Sequence, residues 1–91
     1  MTVADTIRRK LTERFAPIRL DVVDESYRHA GHAGARPGGE THFAVTIVSA
    51  AFTGQSRVVR QRLVYQALAE EIATGVHALS LTTLVPDEDE R

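Results

Sequence analysis

Histidine is the residue type in this chain that points most directly to metal chemistry, because the sequence has four histidines and no cysteine. Neutral imidazole binds zinc, copper, iron and nickel, whereas disulfides, thiol catalysis and thiolate metal sites all require cysteine. The histidines are His29, His32, His42 and His77. A soft metal site that this chain helps to build must therefore take nitrogen ligands from it and any thiolates from another molecule.

Two of these histidines, His29 and His32, stand in a glycine-rich segment, residues 26–41, in which no periodic pattern of apolar residues survives. This segment predicts a long loop, and loops of that length inside compact domains are usually functional or mobile. The spacing of the pair is a weak metal signature, since a lone histidine more often has a structural or solvated role. Whether His29 and His32 bind a metal depends on which other ligands the fold places beside the loop.

Two helices are predicted by apolar periodicity and by capping residues. Thr2 and Asp5 have the spacing of a capping box, and an apolar residue recurs at every fourth position through residues 3–15. Ser56 is the expected N-cap of a second helix over 57–74.

The second helix carries a heptad repeat of apolar residues. Val58, Tyr65 and Ile72 lie seven residues apart, and Val64 and Leu68 fill the same side. Because such a stripe is typical of a buried helix face, we expect it to contact the core.

Three strands are predicted by residue type and by the alternation of apolar and polar positions. They span residues 18–25, 42–50 and 76–84. A loop joins the first two, which favours an antiparallel pair, and a helix joins the last two, which favours a right-handed crossover and a parallel pair. The sequence therefore predicts an α/β (α+β) domain of order αββαβ, with a three-stranded mixed sheet and both helices on one face.

A single domain is expected over all 91 residues, with an ordered core over about 3–86 and a solvated acidic tail over 87–91. The sequence has no apolar run near the roughly 20 residues that a membrane span needs. We therefore expect a soluble, cytoplasmic protein that does not bind membranes. The exposed edge of its sheet also allows a homodimer.

This topology predicts that the histidines converge at one edge of the sheet. The loop enters the second strand at His42, and a parallel third strand begins at the same edge, with His77 as its second residue. We therefore expect His77 to lie within reach of His29 and His32. His42 is expected to have a structural role where the loop meets the strand.

Several motifs in this chain are specific to a known family. They are a Phe-x-Gly-x-Ser turn from Phe52 to Ser56, an arginine-rich helix start after it and a Val-His-Ala-Leu strand, together with the runs DVVDESYRH and ETHF. In these features the sequence closely resembles BolA proteins, from Ile7 to about Pro86. The resemblance implies a fold like class II KH domains, αββααβ, which adds a short helical turn near residues 52–57 to the order derived above.

The resemblance also implies a function, namely partnership with a monothiol glutaredoxin in iron-sulfur cluster trafficking or iron and redox regulation. The two proteins and glutathione share a [2Fe-2S] cluster, and the ligands carried over by position are His29 and His77. Histidines in place of two thiolates raise the potential of such a cluster, as in Rieske centres. The sequence departs from the family at two positions. Gln61 stands where the family often has a histidine. His32 is an added histidine three residues after His29, so His29 and His32 both remain candidate ligands.

A second interpretation is a KH-like, nucleic-acid-binding transcriptional regulator, an activity also attributed to the family. Arg57, Arg60 and Arg62, at the start of the long helix, are the residues expected to contact phosphates of DNA. The net charge of −1 and the lack of a glycine- and lysine-rich loop favour a solvated helix flank instead.

An enzyme is the least favoured class. Asp24, Ser26 and His29 have the residue types of a catalytic triad, but they lie within six residues on a strand end and a loop, where they can hardly converge. The sequence shows no other motif with a catalytic mechanism attached to it. We therefore expect no catalysis by this chain.

Overall fold

A computed structural model describes residues 2–25, 42–76 and 78–89. Within these ranges no helix is long and apolar enough to cross a membrane. The elements, in chain order, are α1 (Val3–Phe15), β1 (Arg19–Asp24), β2 (His42–Val48), a 3₁₀ turn (Ala50–Phe52), α2 (Arg57–Ala67), α3 (Ala69–Thr74), β3 (Ala78–Leu84) and a second 3₁₀ turn (Pro86–Glu88).

Helix α1 has the predicted capping box. The Asp5 backbone N–H donates to Thr2 Oγ1 at 3.0 Å, and the Thr2 N–H donates to Asp5 Oδ2 at 3.2 Å. The hydrogen bonds with Thr2 lower the pKa of the Asp5 carboxyl and fix where the helix begins. The helix ends at Ala16, which has a left-handed backbone conformation with φ of 44°.

The sheet has the predicted topology. Its strand order is β1-β2-β3, with β1 antiparallel to β2 and β3 parallel to β2. Alternate residues of β2, Phe43, Val45 and Ile47, are at most 2% exposed. They form one core cluster with side chains of α1 and α2, such as Ile7 and Val64. Both helices therefore cover the same face of the sheet, as expected for this α+β arrangement.

Strand β2 ends two residues earlier than predicted because of Ser49. Its buried hydroxyl donates to the Phe15 carbonyl at 2.6 Å and accepts from the Ala51 N–H at 3.0 Å. The second of these bonds starts the 3₁₀ turn (Ala50–Phe52), so this turn comes slightly before the 52–57 position that the resemblance implied. The ring of Phe52 then packs on Phe15, with centroids 5.1 Å apart.

The second helix does contact the core, through Val64 and Leu68 as predicted, but the residues of the heptad repeat do not, and that part of the prediction was wrong. Val58, Tyr65 and Ile72 are 58%, 41% and 36% exposed. The long helix also divides at Leu68 into α2 and α3. The buried side chains of this segment follow a four-residue spacing instead, at Arg60, Val64 and Leu68.

Both outer strands of the sheet have a carbonyl bonded to a side chain from the helix layer. Arg8 Nη2 on α1 donates to the Val22 carbonyl of β1 at 3.1 Å. The Tyr65 hydroxyl on α2 donates to the Leu79 carbonyl of β3 at 3.2 Å. These two bonds tie the outer strands to the helix layer, and the homodimer at the sheet edge stays a prediction.

The acidic C-terminal residues are packed against arginines as far as Asp89, which corrects the expectation of a solvated tail from residue 87. Arg60 Nη1 donates to Glu88 Oε1 at 2.7 Å, and Arg19 Nη1 donates to Asp89 Oδ1 at 2.7 Å. The Asp89 side chain is only 14% exposed. Residues 88 and 89 therefore belong to the packed domain.

Candidate functional site

The candidate site is the edge of the sheet where β2 and β3 begin. In the parallel register, His42 is the partner of Ala78. The chain leaves β1 at the same edge, where the Glu25 N–H donates to the His42 carbonyl at 2.7 Å. The start of the long loop, its exit and the first residue of β3 therefore lie side by side, as the topology predicted.

The three histidines expected as metal ligands, His29, His32 and His77, lie outside the described residues, so their assignment stays a prediction. Among the residues that the structure describes, no group of three histidine, aspartate or glutamate side chains is placed to hold a metal ion. His42 is described, and its backbone carbonyl accepts from the Glu25 N–H, but the structural role expected of its imidazole stays a prediction.

The entrance to β3 is held by contacts that the sequence did not reveal. The N–H groups of Gly75 and Val76 donate to the Glu71 carbonyl at 3.1 and 3.0 Å. The Glu71 carboxylate in turn accepts from Lys10 Nζ on α1 at 2.9 and 3.0 Å, and this hydrogen bond raises the pKa of Lys10. On the other side, Tyr65 bonds the carbonyl of Leu79. These ties fix the backbone on both sides of position 77.

The arginines of the nucleic-acid interpretation do not form one patch. Arg57 and Arg62 are exposed, but Arg60 is 7% exposed and turned into the domain. The Arg60 guanidinium donates from Nε to the Gln55 carbonyl at 2.9 Å and from Nη1 to the Thr83 carbonyl at 3.3 Å. Its structural role contradicts the expectation that it contacts phosphates.

We expect the Arg60→Met substitution to lower the free energy of unfolding by about 2 kcal/mol, because it leaves the buried Thr83 carbonyl without its donor while preserving the aliphatic packing. Urea unfolding followed by circular dichroism measures this change. The matched exposed variants Arg57→Met and Arg62→Met are expected to stay within about 0.5 kcal/mol of the parent protein. Equal stability of all three variants would show that Arg60 is not a structural residue.

Glu88, the partner of Arg60, gives the domain a predicted pH dependence. Its carboxylate accepts hydrogen bonds from the Val85 N–H at 2.9 Å and from Arg60, and these bonds lower its pKa below the ordinary value of 4.5. A carboxyl whose pKa is lower in the folded state stabilises the fold above the unfolded-state pKa and loses this contribution as the pH falls through the folded-state pKa. The stabilisation is therefore complete at neutral pH.

We expect Glu88→Gln to be less stable than the parent at neutral pH, and the difference to shrink as the pH falls below 4.5. Glutamine keeps the size of the side chain and an acceptor for the Val85 N–H but removes the charge. Urea unfolding across this pH range gives the result, with Asp87→Asn as a control for the change in net charge. A stability difference that persists unchanged into acid contradicts a role for the ionised carboxylate.

Comparison with known proteins identifies the family. The family described as BolA-like protein matches residues 11–88. The chain is 49% identical over 87 residues to the chloroplastic protein BOLA1 of Arabidopsis thaliana, a match that covers 93% of this chain and 54% of that protein. The chain therefore spans about half the length of this relative.

A bacterial relative and a solved structure agree with this match. Over 83 residues the chain is 48% identical to a protein of Escherichia coli named DNA-binding transcriptional regulator BolA, covering 91% of this chain and 75% of that one. Its name describes a regulator and not an enzyme. The structure of BolA1 from Arabidopsis thaliana matches with a TM-score of 0.88 and 46% identity, over 98% of this chain and 97% of that chain. Fold and sequence together show that this chain belongs to the family of BolA-like proteins.

Proposed function

We propose that this chain binds a monothiol glutaredoxin and supplies histidine ligands to a [2Fe-2S] cluster shared between the two proteins and glutathione. The observation that carries the proposal is the parallel register that pairs His42 with Ala78. The loop that contains His29 and His32 ends at His42 in the chain, and His77 immediately precedes Ala78. Both sources of imidazole are thus connected to one edge of the sheet.

The donor set of the chain fits a shared cluster. The chain has histidines but no cysteine, so it offers nitrogen ligands only, and the thiolates must come from glutaredoxin and glutathione. His77 and either His29 or His32 would hold the cluster from this side. Histidine ligation gives a bound [2Fe-2S] centre a higher reduction potential than four thiolates do.

The fold contributes to this function by holding the entrance to β3 in place. The bonds of Gly75 and Val76 to Glu71, and of Tyr65 to Leu79, restrain the backbone before and after position 77. Restraint of this kind favours ligand positions that are set before the partner binds. The physiological role that we propose for the complex is iron-sulfur cluster trafficking or iron and redox regulation in the cytoplasm.

Co-expression with a monothiol glutaredoxin tests the proposal. The visible absorption and circular dichroism spectra of the purified mixture are expected to differ from those of glutaredoxin expressed alone, because histidine ligands change the environment of the cluster. Size-exclusion chromatography should show both chains in the coloured fraction. A spectrum identical to that of glutaredoxin alone, with no complex, contradicts the proposal.

DNA binding is the second candidate, favoured by the name of the Escherichia coli relative and by the exposure of Arg57 and Arg62. Phosphate contacts by these arginines predict binding to duplex DNA that weakens with salt. The slope of log K against log salt measures those contacts, and the double variant Arg57→Gln, Arg62→Gln should reduce it. A slope near zero for the parent protein removes this candidate.

A further inference from the structure

Helix α3, the short helix just before β3, presents one partly buried side chain to the rest of the domain. Five of its six residues are exposed, and the sixth is Glu71, whose side chain is 12% exposed. The first turn of α3 has no side-chain cap. Because a helix this short is not stable without tertiary contacts, its placement depends strongly on the contacts of Glu71.

Glu71 connects α1 to the entrance of β3. Its carboxylate accepts from Lys10 Nζ at 2.9 and 3.0 Å. Its backbone carbonyl accepts from the N–H groups of Gly75 and Val76 at 3.1 and 3.0 Å. The side chain of Val76 is 7% exposed and belongs to the core cluster. A continuous path of contacts therefore runs from α1 through Glu71 to the residue that precedes position 77.

The pair of Lys10 and Glu71 is placed to hold α3 firmly. Both side chains are partly buried, at 21% and 12% exposed, so solvent ions screen their attraction less than that of an exposed pair. Glu70 is a weaker partner for the same ammonium group, because its carboxylate lies 3.7 Å away and its side chain is 87% exposed. Lys10 therefore anchors α3 chiefly through Glu71.

We infer that Glu71, anchored by Lys10, is a positioning residue for the His77 ligand, an inference that rests on the proposed function. Position 77 follows Val76 directly and precedes Ala78, which is held in register with His42. Release of Glu71 would free the chain before the ligand while the chain after it stays paired. Groups that orient a metal ligand without contacting the metal commonly control how tightly the metal is held.

The first test uses the full chain without a partner and follows amide hydrogen exchange. Lys10→Met removes the ammonium group and keeps the aliphatic stem. We expect the amides of Gly75 and Val76 to exchange about tenfold faster, as for the loss of a hydrogen bond to a charged group. Lys10→Arg, which keeps a donor to Glu71, should preserve the slow exchange.

Arg19→Met is the matched control, because it removes a similar ion pair at the opposite end of the sheet. Arg19 lies 2.7 Å from Asp89, and the two side chains are 24% and 14% exposed. This variant should leave the exchange of Gly75 and Val76 unchanged. Equal exchange in Lys10→Met and the parent, or equal acceleration in both methionine variants, overturns the inference.

The second test uses the complex with a monothiol glutaredoxin and measures the rate at which an iron chelator removes the mixed cluster. Lys10→Met should lose the cluster at least about tenfold faster than the parent and alter its visible circular dichroism, with glutaredoxin binding retained. Arg19→Met and Lys10→Arg should both behave as the parent does. A rate in Lys10→Met equal to that in Arg19→Met contradicts a positioning role.

A second variant guards against a general loss of folding. Glu71→Gln keeps an acceptor for Lys10 but removes the charge, so it should accelerate cluster loss less than Lys10→Met does. Far-ultraviolet circular dichroism of each variant confirms that it is folded. If the parent forms no mixed cluster, the proposed function fails and this inference fails with it. If the parent forms the cluster and both variants hold it as tightly, the proposed function stands and only the role of Glu71 is wrong.

Discussion

Replacing His77 with alanine is expected to abolish the spectrum of the mixed cluster formed with a monothiol glutaredoxin. The residue precedes Ala78, the first residue of β3, so its position in the chain is tied to a strand and not to a loop. The bonds that hold Gly75, Val76 and Leu79 leave that backbone little freedom to bring another ligand to the same place. Loss of this imidazole therefore leaves the cluster short of one nitrogen ligand.

The measurement combines visible absorption and circular dichroism of the co-expressed proteins with a direct assay of glutaredoxin binding. His42→Ala is the matched control, because it removes a histidine from the same sheet edge, and its spectrum should keep the features of the mixed cluster. Both variants should remain folded, since neither change removes a large apolar side chain. An unchanged spectrum in His77→Ala, with glutaredoxin binding retained, would falsify the ligand assignment and strengthen the DNA-binding candidate.

The strand arrangement was predictable because it depends on local signals and on general rules of chain connection. The loop over 26–41 favours an antiparallel pair, and the helical segment between β2 and β3 favours a parallel one, as the structure shows. The parallel register then places the starts of both strands at one edge. This is the part of the candidate site that follows from sequence alone.

The buried face of the second helix was predictable only in part, since Val64 and Leu68 are buried as expected but the heptad residues are not. An amphipathic helix usually buries its apolar side chains and exposes its charged ones. Here the apolar residues of the heptad are exposed and Arg60 is buried. Arg60 is buried because the carbonyls of Gln55 and Thr83 and the carboxylate of Glu88 accept its hydrogen bonds. Two of these partners lie 23 and 28 residues away in the chain, so no local pattern reveals them.

The hydrogen bonds that hold the candidate site also join residues that are far apart in the chain. Lys10 and Glu71 are 61 residues apart in the chain, and nothing in the spacing of their neighbours connects them. The sequence therefore predicted that β2 and β3 begin at the same edge of the sheet, but not which side chains hold this edge. Charged pairs between distant elements form only once the fold has placed them.

The two loop histidines are expected to substitute for each other. His29 matches the family position, and His32 follows it after an alanine and a glycine. Because glycine allows a wide range of backbone conformations, a loop with glycines on either side of His32 can bring either imidazole to the same metal position. Replacing His29 alone with alanine should therefore reduce the mixed-cluster signal without abolishing it.

The double variant His29→Ala, His32→Ala should lose the mixed-cluster spectrum as completely as His77→Ala does, because the loop then contains no imidazole. The comparison of single and double variants separates two explanations for a loss of signal. If either single variant already abolishes the spectrum, that histidine is the sole loop ligand and the other is not a substitute. If the double variant retains the spectrum while His77→Ala loses it, the second nitrogen ligand does not come from the loop, and the spectrum of the His42→Ala variant shows whether His42 supplies it.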